Sequence, residues 1–164
     1  MIELKLYDNE VKEMTSMIVS FWKCHNGIVP EGDDGMDDLK AWTAEGHKLY
    51  FIVKEEKKVG FVHLGSRGVN PDWLEYIFVI PEYQNQGIGS TAIRLTEEIV
   101  KQYSGAFFIE AASRNLDAIR LYRKLGFDCL NTITVCKDLK KYQYDVIKEE
   151  KVCGCDFEIR KYKL

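Results

Sequence analysis

The sequence predicts an α/β domain built on a mixed sheet, mostly antiparallel with one parallel strand pair. Three observations lead there. The apolar runs LYFIV (49–53) and VGFVHL (59–64) flank the charged segment KEEKK, the pattern of an antiparallel hairpin. A third run, LEYIFVI (74–80), is followed by the glycine loop YQNQGIGS (83–90), a helix-patterned segment to about Tyr103 and a further strand, FFIEA (107–111). A strand, helix, strand order of this kind places its two strands parallel. With 164 residues and 46% apolar composition the chain is long enough for one core and short for two, so a single domain over 1–164 is expected.

The elements follow in order. Ile2, Leu4 and Leu6 alternate with Glu3 and Lys5 as in a half-buried strand. Val11, Met14, Ile18 and Phe21 then recur at helical spacing, with Asp8 or Asn9 as caps and Gly27 and Pro30 as stops. A second helix is expected around 36–45, capped by Asp33 or Asp34, with Leu39 and Trp42 on one face and Gly46 at its end. After the hairpin and third strand, Ile88, Ala92, Leu95, Ile99 and Tyr103 form one stripe on the glycine-loop helix, leaving Arg94, Glu97, Glu98 and Lys101 for solvent. The last helix starts near Asn115, carries Ala118, Leu121, Tyr122 and Leu125 on one face, and stops at Gly126 before Phe127. The tail contains strand-like NTITV (131–135) and DFEIRKY (156–162) around a polar segment.

The glycine loop carries the chemistry. Gly87 and Gly89 have no Cβ, and the helix they open presents unpaired N–H groups and a positive dipole end, so a phosphorylated ligand is expected there. GIGSTA (87–92) fits the dinucleotide fingerprint, with Glu110 at about the distance of a ribose-binding acid. In that fingerprint, however, the first glycine follows its strand almost at once, whereas Pro81 through Gln86 intervene here. A Walker loop would need Lys-Ser or Lys-Thr after the glycines, which is absent.

QNQGIG (84–89) resembles the R/Q-x-x-G-x-G/A signature of the GNAT superfamily of N-acyltransferases. A second block, SRNLDAIRLYRKLGF (113–127), resembles that superfamily's N-x-x-A-x-x-L-Y-x-K-x-G-F segment, in the same order and separation. The resemblance covers roughly 49–139. It implies a GNAT fold in which the two central parallel strands splay apart, and acetyl-coenzyme A as donor. It further implies that the amides of Gln84, Asn85, Gln86, Gly87, Ile88, Gly89 and Ser90 meet the donor's pyrophosphate. Val79 becomes a main-chain contact for the pantetheine arm, and Asn115 a cofactor contact, or a helix cap, or both. The sequence departs from the commoner pattern at Gln84, where arginine is frequent, and Asn85, where glycine is frequent.

The same resemblance makes Tyr122 the expected acid for the departing thiolate. A simple thiol has a pKa of about 8.5 and a phenol about 10, so proton transfer is uphill by about 2 kcal/mol in isolation. A hydrogen bond strengthening as the thiolate forms, or a shifted pKa, would cover the gap. The attacking ammonium must lose a proton, and Glu75 on the third strand is the expected base, with Glu110 as the second candidate. Strand parity does not choose between them, because a bulge would reset the facing of each side chain.

The acceptor is expected to be a primary amine of a small molecule or peptide. The acidic stretch EGDDGMDD (31–38) suits an acceptor entrance that attracts a cationic amine or a solvated capping loop equally. Trp22, Trp42 and Trp73 read as pocket walls or, more simply, core. A net charge of −3 argues against a general nucleic-acid binder. No apolar run approaches the ~20 residues that span a bilayer, and the first ten residues lack a secretion-signal core, so a cytoplasmic protein is expected. Cys24, Cys129, Cys136, Cys153 and Cys155 show no paired metal spacing and read as reduced thiols without metal. Cys24 beside His25 reads as a helix-end pair of no catalytic role. The final strand offers a homodimer contact by strand addition, and a donor-binding sensor without turnover is the competing function.

Overall fold

The computed structural model describes residues 1–26 and 34–163. Two compact units divide the chain, Met1–Glu110 and the segment from Ala111 onward. The first unit contains β1 (Ile2–Leu6), α1 (Val11–Asn26), α2 (Asp34–Trp42), β2 (Lys48–Lys54), β3 (Lys57–Gly65), β4 (Trp73–Val79), α3 (Ile88–Val100) and β5 (Phe108–Ile109). Its sheet runs in the order β1-β2-β3-β4-β5, antiparallel except for the parallel β4–β5 pair.

Local chemistry explains the elements. The β2–β3 turn places Glu55 and Glu56 at φ 49° and 66°, the left-handed pair that a two-residue hairpin turn demands. At the start of α1, the Glu10 carboxylate accepts the Asp8 amide at 2.8 Å, rather than Asp8 or Asn9 acting as the cap. That amide is the main reason the Glu10 carboxyl is lowered to about 2.

The sheet buries both faces. Leu49, Phe51 and Val53 of β2, Phe61 of β3 and Phe78 of β4 pack with Met14, Ile18 and Phe21 of α1 and Leu39 and Trp42 of α2. Alternation sends Tyr50, Ile52 and Val62 to the other face, where α3 contacts β1 and β4. The buried stripe of α3 is Ile88, Ala92, Ile93, Thr96 and Val100, rotated from the expected one, with Leu95 and Ile99 only half-buried. Thr96 hides in an apolar stripe because its hydroxyl donates to the Ala92 carbonyl at 2.8 Å.

Gly60 of β3 sits directly against its partner strand β4. A Cβ there would run into the Phe78 carbonyl and lie 3.0 Å from the Val79 Cα, both backbone atoms that side-chain repacking cannot move. Gly60→Ala is expected to cost ~3 kcal/mol, read as a lowered urea midpoint. A midpoint equal to that of the parent protein would contradict this close approach.

The second unit contains α4 (Leu116–Lys124) and a hairpin of β6 (Tyr144–Val152) and β7 (Cys155–Tyr162). Here the sequence expectation is corrected. Residues 131–135 form no strand, and the segment read as polar spacer holds β6. YDVIKEEKV pairs because Cys153 and Gly154, at φ 52° and 83°, make a tight turn, and most of β6 is exposed, so no apolar alternation marks it. Helix α2 also starts and ends earlier than expected, and β5 keeps only two of the five residues of FFIEA.

Candidate functional site

From Val79 the chain passes through a 3-10 turn, Pro81–Tyr83, and then the glycine loop. Asn85 and Gly87 take left-handed φ values of 59° and 75°. Asparagine is the side-chain residue that tolerates this region best, which accounts for Asn85 where glycine is frequent. The first return bond of α3 is Thr91 N to Gly87 O at 3.0 Å. Gln86 closes a hydrogen-bonded turn over residues 84 and 85, whereas the amides of Asn85, Gly87, Ile88, Gly89 and Ser90 have no main-chain acceptor among the described residues. Five free donors, two left-handed residues and a helix start are an arrangement able to bind an anion.

The side chains around this loop are already placed. Gln84 Nε2 donates to the Val79 carbonyl at 2.8 Å, so its carboxamide ties the loop to the strand end. Gln86 Nε2 donates to the Glu82 carbonyl at 3.1 Å, and its Oε1 accepts Lys54 Nζ at 2.9 Å. Ile88 is buried and anchors the helix, while Gly89 has open space around it, its nearest neighbour being Val79 Cγ2 at 4.0 Å from an added Cβ.

Along β4 the two edges differ. His63 pairs with Tyr76 and Leu64 with Leu74, so Glu75 is a bulge with no β3 partner. On the other edge β5 pairs only at Trp73 and Leu74, leaving Glu75 to Val79 without a strand neighbour among the described residues. That interrupted pairing is the parting of the parallel strands, on the strand that leads into the glycine loop.

The bulge turns Glu75 across Gly65, where an added Cβ would meet its carboxyl at 2.7 Å. Both Glu75 oxygens bind the Arg67 guanidinium, one through Nη1 and the other through Nη2 at 3.1 Å. Nη2 also lies 3.9 Å from the Glu110 carboxylate, and the guanidinium sits 4.7 Å above the Trp73 ring, which stacks on Phe108 at 4.9 Å. The two candidate bases thus share one cation. Use of Glu75 as a base would draw on the lone pairs that the two Arg67 bonds leave unused.

In the second unit, Asn115 caps α4 by accepting the Ala118 amide at 3.3 Å, leaving its Nδ2 free for a ligand. Tyr122, two helical turns on, lies edge-on to Phe127 at 6.0 Å. Burial raises its phenol above the ordinary value of 10.0. The shift is opposite to one that would close the proton-transfer gap. It keeps the phenol protonated as a donor.

Of the acidic stretch, Glu31, Gly32 and Asp33 lie outside the described residues. Asp38 accepts Trp22 Nε1 at 2.5 Å, and Asp37 pairs with Lys40, which fits a bonded helix face. Trp42 is core. Sequence reasoning missed Arg67, Lys54 and a histidine pair: His63 Nε2 and His47 Nδ1 are 2.9 Å apart, with His63 stacked on Trp42 at 4.9 Å. Each meets its partners only through the sheet register, and none stands in a motif. All five cysteines are free and exposed. No described helix is long and apolar enough to cross a membrane.

These features coincide with a known family. The model of the Acetyltransferase (GNAT) family matches residues 13–127, and the chain belongs to that family. YrkN, an uncharacterized protein of Bacillus subtilis (strain 168), is 32% identical over 84 residues, a stretch that is 50% of this chain and 43% of YrkN. The chain thus matches less than half the length of that relative. In fold, it is similar to a possible acetyltransferase from Clostridium difficile 630, with a TM-score of 0.66 and 17% identity over 90% of this chain and 99% of the other. It is likewise similar to an aminoglycoside acetyltransferase from an uncultured soil metagenomic sample, solved with sisomicin, with a TM-score of 0.62 and 16% identity over 85% and 97% of the two chains.

Proposed function

We propose that this chain is an N-acetyltransferase that takes acetyl-CoA as co-substrate and a primary amine of a small molecule or peptide as acceptor. The observation that carries the reading is the set of unbonded amides, Asn85 and Gly87 to Ser90, at the start of α3. A diphosphate needs several donors converging on oxygens at short range, and a helix start with two left-handed residues provides them. The open β4 edge before it gives the amide-bearing pantetheine arm a strand to pair with, Val79 being its last residue. Asn115 Nδ2 is a further cofactor donor.

Acetyl-CoA supplies an activated thioester carbonyl. The acceptor amine, once deprotonated, attacks that carbon, forming a C–N bond as the C–S bond breaks. Backbone donors of the open edge stabilise the oxyanion. Tyr122 donates its phenolic hydrogen toward the leaving sulfur. Glu75, Glu110 or a water held by them takes the amine proton.

A sensor without turnover is the second reading, favoured by one observation: Arg67 holds Glu75 and contacts Glu110. Thiol release from acetyl-CoA in the presence of spermidine, sisomicin, amino acids and peptides separates the two, with calorimetric acetyl-CoA binding measured alongside. Acceptor-dependent release supports the enzyme. Binding with no release by any of these amines supports the sensor, and absence of binding overturns both.

Gly89→Ala tests the loop itself. The added methyl meets no protein atom closer than 4.0 Å, and alanine is the better helix residue by about 1 kcal/mol, so melting is expected to be unchanged or raised. The methyl nevertheless lies among the free amides. Acetyl-CoA binding is expected to weaken about tenfold, a loss of ~1.4 kcal/mol. A folded variant that binds like the parent would rule out the loop as the phosphate site.

A further inference from the structure

We propose that Lys54, on the neighbouring hairpin, supplies the positive charge of the diphosphate site that the glycine loop itself lacks. The proposal rests on the acetyl-CoA reading above and adds a residue to it. Within the loop, position 84 is glutamine, and its carboxamide donor is committed to the Val79 carbonyl at 2.8 Å. Loop residues 83–90 contain no lysine or arginine. The loop's free amides alone would face a diphosphate in a chain whose net charge is −3.

Sheet register brings the missing cation to the loop. Lys54 ends β2 opposite Lys57. Strand β3 then runs beside the end of β4, with Gly60 opposite Val79 and the Ile80 amide donating to the Val59 carbonyl at 2.9 Å. The hairpin end and the loop entrance are therefore neighbours by construction. Lys54 Nζ reaches Gln86 Oε1 at 2.9 Å and lies 5.5 Å from the centre of the Tyr83 ring. Gln86 is itself fixed by its bond to the Glu82 carbonyl.

Its partners distinguish this lysine. Lys58, four residues on, meets Glu10 at 3.4 Å and Glu13 at 3.5 Å. Lys54 has no described carboxylate within 4.0 Å, although Glu55, Glu56 and Glu82 are close in sequence. An ammonium has three donors, and the structure uses one of them on a neutral amide oxygen. What remains is an oriented, uncompensated charge on the loop that carries the free N–H groups. That is the chemistry of a phosphate contact, in which lysine acts as a point charge. The tyrosine face and the amide oxygen hold the ammonium in place before the ligand arrives, reducing the ordering cost on binding.

Calorimetry of the 164-residue chain with acetyl-CoA, at low and high KCl, tests this in Lys54→Gln, Lys54→Arg and Lys57→Gln. Lys54→Gln is expected to raise Kd about fivefold at low salt and to flatten the dependence of log Kd on log salt. Lys54→Arg should restore most of the affinity, and Lys57→Gln, which removes the same charge from the same hairpin, should leave Kd near that of the parent. Unchanged affinity and salt dependence in Lys54→Gln would overturn the assignment, as would an equal loss in Lys57→Gln, which would make the effect one of general hairpin charge. A parent protein that fails to bind acetyl-CoA would instead overturn the donor reading, and Lys54 with it.

Discussion

Tyr122→Phe is expected to lower kcat by about 10²- to 10³-fold while leaving acetyl-CoA binding near that of the parent. The substitution removes one hydroxyl and keeps the ring that meets Phe127 at 6.0 Å, so the packing of α4 is preserved. Burial raises the phenol above 10.0, and the departing thiol has a pKa of about 8.5, so the proton is held more tightly by oxygen than it would be by sulfur. On the proposed reading Tyr122 acts through a hydrogen bond that strengthens as negative charge gathers on sulfur, and coenzyme A leaves as the thiolate. The raised value also fixes a pH expectation. A phenol titrating above 10.0 remains protonated throughout the neutral range, so no loss of rate from its ionisation should appear between pH 6 and 9. Single-turnover thiol release across that range checks both statements. A loss of less than threefold in Tyr122→Phe would remove the residue from the chemical step.

How far the sequence could foresee this site depended on whether a signal was local. QNQGIG announced its loop because glycine and asparagine at left-handed positions are a chain-local requirement, met here at Asn85 and Gly87. Asn115 was legible for the same reason, since a helix cap bonds a residue three positions away. Arg67 was not legible. It lies in a loop of unremarkable composition and finds Glu75 only because a bulge in β4 turns that side chain across Gly65. The same bulge defeated any parity argument about Glu75. Lys54 was read as part of a charged turn, which it is, and only the ladder from β2 through β3 to β4 places it by Gln86. The α3 stripe was misread by one register because Thr96, polar by type, is buried through its bond to Ala92. In the second unit β6 escaped because a hairpin exposed along most of its length carries no apolar alternation for a reader to find.

His63→Phe is expected to flatten the acid limb of the stability curve. His63 is only 2% exposed, its Nε2 faces His47, and its Nδ1 has no partner among the described residues. Its ring stacks on Trp42 at 4.9 Å and lies 5.7 Å from that of Tyr76, so an added proton would place a charge among aromatic faces with a second histidine beside it. Burial, and then the charge of His47, push the pKa down to about 3 from the ordinary 6.5. Between those two values the unfolded chain binds a proton that the folded chain refuses. Stability on this account is complete above about pH 6.5 and is lost as pH falls, by up to ~1.4 kcal/mol per unit, until the folded group itself titrates. At pH 4.5 the parent should therefore have lost ~2–3 kcal/mol more than His63→Phe relative to pH 7.5, a large share of the ~5–15 kcal/mol that holds a typical domain together. Phenylalanine keeps an aromatic ring against Trp42 and removes the orphaned nitrogen, so the variant should be at least as stable at pH 7.5, where half-buried His47 can turn to water. Urea midpoints at the two pH values decide the matter, because carboxylates that titrate in both proteins cancel in the difference. Parallel curves for parent and variant would mean that His63 takes up its proton without cost, and that the ring is not sealed from solvent in the way its packing implies.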